Sequence, residues 1–291
     1  MENIEIESKN GTMPSSHYFD NFVIVEVNDE HNYIKPDGTF LSEQWFDNCC
    51  TFWDDFGKVY LCDKGWNYIK TDGTLLSDIW FDSCHDFEEG FGVVNLNGKY
   101  NYLDTNGRIL SPNQWFDFCE DFNEECGIVK LNEKYNHIKP DGTLLSEQWF
   151  GWCENFHNGL AKVQLNGKYN HLKPDGTLLS EQWFDDWGFK NEIGVVKLGK
   201  KYNYINSEGR LLSDMWFNEC KYFEGGFGVV QLNGKYNYIK PDGTLLSGTW
   251  FDDCRIFKKG FGMINLDGNW NLLNESGKIL SPDLWFHNLR F

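Results

Sequence analysis

The stretch FGVVQLNGKYNYIKPDGTLLSGTWFDDC, residues 227–254, decides the fold. Its opening, GVVQL, alternates and is β-branched, as a half-buried strand requires, and the Asn233–Gly234 pair that follows is a strong short-range signal for a tight hairpin. KYNYI then reads as the returning strand. In KPDG, Pro241 fixes φ while Asp242 and Gly243 tolerate a sharp reversal, which predicts a second turn. TLLS reads as a third short strand and WFDDC as a fourth, or as an extended edge. No segment carries a helical period long enough to compete.

Almost the same words recur along the chain. A Trp followed by Phe stands at Trp45, Trp80, Trp115, Trp149, Trp183, Trp216, Trp250 and Trp285, always 33 to 35 residues apart. An Asn keeps the beat at Asn32, Asn67, Asn101, Asn136, Asn170, Asn203, Asn237 and Asn271, and a turn glycine at Gly38, Gly73, Gly107, Gly142, Gly176, Gly209, Gly243 and Gly277. Eight copies of a unit of about 34 residues follow. A unit this short cannot bury its own apolar face, so copies must pack side by side. The repeated Trp, Phe and Leu are read as core. The Asn, a polar side chain set among aromatics, is expected to bond backbone, since a buried amide without partners is costly.

The fold class expected is all-β: eight units of four short strands, closed as an eight-bladed β-propeller, with an open β-solenoid or hairpin array as the alternative. Closure is favoured because neither the first nor the last copy looks like a polar cap, and because a ring hides its strand edges. Residues 1–17 read as a polar tail and residues 18–291 as one repeat domain. With 17% aromatic residues, including 13 Trp and 24 Phe, there is ample material for a core. The net charge of -18 repels phosphates and anionic lipid, which argues against nucleic acid and membrane as partners and favours a basic segment of a protein. The opening residues have neither the basic start nor the apolar run of a secretory signal, and no apolar run is long enough to span a bilayer, so a cytoplasmic, monomeric protein is expected.

The copies resemble the WG repeat, a family of bacteria and their phages. Its GKWGYI is met here by GKYNYI at residues 234–239, and its YDD by the repeated WFD. Asn stands where the family has Gly, although Trp66 and Trp270 keep the tryptophan as WN. The resemblance spans about residues 22–291, implies a repeat scaffold, and brings no catalytic residues with it.

No catalytic, cofactor or metal constellation stands out. Six cysteines, Cys49, Cys84, Cys119, Cys153, Cys220 and Cys254, fall four residues after the repeated Trp, in a slot that Trp187 and Leu289 occupy in the other copies. A slot shared by Cys, Trp and Leu is a packing position, and free thiols suit a reducing compartment. His137 and His171 share a slot that is Tyr or Leu elsewhere, and the Asp of each DG pair has a local turn role. A special site is therefore sought where copies disagree. Trp53, Trp152 and Trp187 are tryptophans beyond the repeated set, and Lys190, Arg255, Lys258 and Lys259 lie in the divergent stretches. Trp and Arg favour protein recognition. The function expected is a non-catalytic scaffold that binds a protein partner through a face or rim. The alternative is glycan or small-molecule binding at aromatic pockets between repeats.

Overall fold

The computed structural model describes residues 22–190 and 192–289; the stretch expected as a polar tail lies outside the described residues, as does the side chain of Lys190. Among the described residues all regular structure is β, arranged as seven three-stranded sheets and one two-stranded sheet. By its internal contacts the chain divides into two compact units, residues 1–161 with 174–176, and residues 162–173 with 177–291.

The seventh sheet shows how each is built. Strands Phe227–Leu232 and Lys235–Ile239 pair antiparallel, and Glu219–Glu224 lies on the outer side of the first. The hairpin between them turns at Asn233 and Gly234, with φ of 51° and 81°, the doubly left-handed turn that the Asn–Gly pair predicts. The expected third and fourth strands do not form as such. Leu245 and Phe251 make single bridges back to Ile239 and Tyr236, and then Asp253–Cys254 leaves to become the outer strand of the eighth sheet, beside Phe261–Leu266. TLLS is too short, and too close to the Pro241 turn, for a continuous ladder. The WFDDC segment is therefore a link between sheets: its Phe belongs to one and its Cys to the next.

That link makes the core communal. Tyr33 of the first sheet packs in one cluster with Phe46, Cys49, Phe52, Val59 and Ile69, which precede or form the second sheet. Phe56, Tyr68, Phe81, Phe87, Val94 and Leu103 repeat the arrangement one step on. The Phe of each WF pair is the deeper residue, at 0–1% exposure for Phe46, Phe81, Phe116, Phe150, Phe184, Phe217 and Phe251, whereas the Trp is half-buried and packs against the cluster of the preceding copy, Trp80 on that of Phe46 and Trp115 on that of Phe81. Tryptophan was expected in the core; its larger indole serves instead as a partly exposed cover.

Three polar devices recur. The Nδ2 of Asn101 donates to the carbonyls of Ser111 and Gln114 at 2.8 and 3.1 Å, and its Oδ1 accepts from the Tyr102 N–H at 2.9 Å. The asparagine thus fastens the irregular return segment to the strand, in place of the missing ladder. The Asp37 carboxylate accepts from both the hydroxyl and the N–H of Thr39, which holds its pKa below the ordinary carboxylate range. Tyr102 crosses between sheets, its hydroxyl donating towards the Glu120 and Ile128 carbonyls at 2.5 and 3.0 Å. A Cβ built on Gly127 would lie 2.4 Å from that tyrosine oxygen, and equivalent Tyr–Gly contacts occur at Tyr33 with Gly57, Tyr68 with Gly92, Tyr204 with Gly228 and Tyr238 with Gly262.

Candidate functional site

The second unit carries a pocket of about 480 Å³ lined by Lys221, Asp253, Cys254, Arg255, Ile256, Lys258 and Met263. Its floor is fixed by the repeat. The Tyr238 hydroxyl donates towards the carbonyls of Arg255 and Met263 at 2.5 and 2.8 Å, and the Arg255 N–H donates to the Met263 carbonyl at 3.0 Å. Cys254 is fully buried at the base, and burial pushes its thiol well above the ordinary range, so it is packing and no nucleophile.

The walls depart from the repeat. The Arg255 guanidinium lies over the Trp270 ring, 4.4 Å from its centre, and the Lys221 ammonium over Tyr236 at 5.3 Å. These aromatic faces hold the two cations by cation–π attraction. Among the described residues none of Lys221, Arg255 and Lys258 forms an ion pair, although most other lysines with a nearby carboxylate do, as in Lys99–Asp117 and Lys168–Asp185. Asp253 is the one carboxylate of the lining. Ile256 stands beside them 49% exposed, an apolar side chain in a cationic ring.

The structure thus gathers Arg255 and Lys258 from the residues singled out by sequence, and Lys259 follows directly in the hairpin turn, with φ of 53°. It does not assemble the tryptophans with them. Trp53 is half-buried before the strand Phe56–Leu61, exchanging backbone hydrogen bonds with Phe56. Trp152 is 37% exposed at the start of the short strand Trp152–Cys153. Trp187 is 1% exposed and packs edge-on against His171 and Phe184, so it has no surface to offer a partner. It fills the cysteine slot, which faces inward. Lys221 stands out only when the position after the slot is compared across copies: it is Cys50, His85, Glu120 and Glu154 in the first unit, and Gly188, Lys221, Arg255 and Arg290 in the second.

A second pocket of about 500 Å³ is lined by Glu192, Ile193, Phe223, Glu224, Gly225, Gly226 and Pro241. It has no cluster of cations. Among the described residues, no three His, Cys, Asp or Glu side chains stand together as ligands to a metal would.

The WG containing repeat matches at residues 66–100, 102–135, 150–169 and 204–236. The chain is a WG repeat-containing protein. No curated protein matches this WG repeat protein in sequence. Among solved structures, BamB from Moraxella catarrhalis is similar to it at 9% identity, over 95% of this chain and 98% of that one, with a TM-score of 0.29. Hsv2 from Kluyveromyces lactis is similar at 10% identity, over 93% and 95% of the two chains, with a TM-score of 0.30. Scores this low carry no argument about architecture or activity.

Proposed function

We propose that this WG repeat protein is a non-catalytic scaffold that holds a protein partner at the Arg255 pocket. The observation that carries the reading is the ring of Lys221, Arg255 and Lys258 around an exposed Ile256, three cations without carboxylate partners in a chain of net charge -18. An aromatic-braced Arg beside an exposed aliphatic residue has the composition of an interaction hot spot. The nine free cysteines, most of them buried, suit a reducing compartment such as the cytoplasm. Affinity capture with the whole chain, against Ile256→Asp as the control, tests the function. A partner that saturates the wild type and is lost from the variant supports it; partners recovered equally from both overturn it.

For the scaffold itself we propose a closed ring of eight sheets, an eight-bladed propeller. The support comes from the tyrosine–glycine column. Histidine replaces that tyrosine in two copies: His137 is followed by the copy in which the glycine is alanine, Ala161, and His171 by one that keeps Gly194 and sets Trp187 against the imidazole. Leu272 stands at the tyrosine position of one copy, and Val23 at the glycine position of another. A shorter side chain facing a larger one is the compensation that a Leu272–Val23 junction would need.

A further inference from the structure

The first unit shows what the fold places over its hairpin turns. Glu124 and Glu125 both adopt left-handed φ, 47° and 64°, and their two N–H groups donate to the Glu89 carboxylate of the preceding turn at 3.0 and 2.8 Å. One copy later the Glu124 carboxylate accepts from the N–H groups of Asn158 and Gly159 at 3.1 and 3.2 Å. Successive N–H groups in this conformation form an anion-binding concavity. Two successive turns of the first unit are thus each capped by a carboxylate from the turn before.

Lys259 and Gly260 repeat the geometry, with φ of 53° and 82°. Here the supplier is missing. The residue at the position of Glu89 and Glu124 is Gly225, and a Cβ there would lie 2.6 Å from the Phe257 carbonyl, so this site admits no side chain. Among the described residues neither the Lys259 nor the Gly260 N–H is bonded to a side chain; the Glu275 carboxylate is close to Gly260, 3.7 Å from a Cβ built there, and Asp253 lines the neighbouring pocket. The uncapped turn continues directly from Lys258, a member of the cation cluster with Lys221 and Arg255, beside the exposed Ile256 and Met263.

We infer that this surface takes an acidic segment of a partner protein, one of whose carboxylates caps the Lys259–Gly260 turn while an apolar side chain enters beside Ile256 and Met263. The inference rests on the reading of the pocket as the partner site and gives it a chemistry. It differs from what net charge alone suggests. The total of -18 would draw a basic partner, but exposed charges more than about 8 Å away are largely screened at physiological salt, so the three cations at hand govern the contact.

Selection of a displayed library of random linear peptides on the whole chain, and in parallel on the Lys221→Glu/Arg255→Glu/Lys258→Glu variant, is the test. The expected result is enrichment, on the wild type alone, of peptides with Asp or Glu flanking an aliphatic or aromatic residue. One such peptide, synthesised, should bind the triple variant at least about tenfold more weakly, and the single Arg255→Gln variant about threefold, with far-ultraviolet circular dichroism unchanged. The Arg255→Gln arm keeps the test decisive should the triple variant misfold. Enrichment of basic or uncharged peptides that is still lost on the variants overturns the acidic assignment and leaves the partner site standing. No enrichment, or the same peptides on all three proteins, overturns both.

Discussion

Tyr102 and Gly127 act as one residue in two places. The tyrosine hydroxyl occupies the space a side chain at 127 would need, 2.4 Å from a built Cβ, so each position dictates the other across a gap of 25 residues. His137 and Ala161 are the natural experiment. The imidazole reaches the Glu154 carbonyl through Nε2 at 2.9 Å, and the strand that follows tolerates a methyl group. His137→Tyr alone should therefore overpack and cost about 1–3 kcal/mol, and Ala161→Gly should recover most of that loss, as read from urea midpoints. The same histidine sets an acid response. Burial lowers His137 and His171 to about 4, below the ordinary 6.5 that the unfolded chain retains. Between those values the unfolded state binds more protons, so stability is full above the unfolded value and falls as pH drops towards 4. Each histidine contributes a loss on the order of 3 kcal/mol across that window. The His137→Tyr/Ala161→Gly protein should show about half the fall between neutral pH and the folded-state value, when its urea midpoint is followed with pH.

At the scale of the element, glycine is required for two different reasons, which a pair of substitutions separates. Gly98 and Gly107 have nearly the same φ, 73° and 79°, in the hairpin turn and the following turn of one copy. A Cβ on Gly98 meets nothing within 4 Å, whereas on Gly107 it would lie 2.0 Å from the Leu76 carbonyl of the preceding copy. Gly98→Ala should cost only the left-handed backbone term, about 1 kcal/mol. Gly107→Ala adds a backbone collision and should cost more than about 3 kcal/mol or prevent folding, by thermal melt and soluble yield. Both glycines could be placed in turns from sequence, because the NG pair that holds each is a local signal. That Gly107 also bears on the copy before could not, since the contact depends on how sheets stack. The same distinction explains the strand assignments. GVVQL and KYNYI carry enough alternation to declare a hairpin. TLLS and WFDDC do not reveal that each makes one bridge or a two-residue strand, because that follows from the link between neighbouring sheets.

For the whole molecule, repetition made the scaffold legible and departure from it only partly located the site. Arg255 and Lys258 could be found as deviations from the repeat, but Lys221 becomes visible only when the slot after each cysteine is read as a column, and Trp187 looked divergent while filling an inward-facing position. The proposed closure is subject to the same column logic. If the copy with Leu272 precedes the copy with Val23 in space, Leu272→Tyr should push an aromatic ring into the valine and destabilise, and Val23→Gly should make room for it. The two substitutions would then couple by about 1–3 kcal/mol in a double-mutant cycle measured by urea unfolding. In an open array the tyrosine would have no valine to meet, Val23→Gly would carry only its own cost, and the two effects would add to within about 0.5 kcal/mol. The sign discriminates as well: relief of a collision makes the double variant more stable than the sum of the singles, which simple loss of packing at two unconnected ends cannot do. Coupling indistinguishable from zero would thus remove the ring while leaving every sheet, and the Arg255 pocket within its own unit, unchanged.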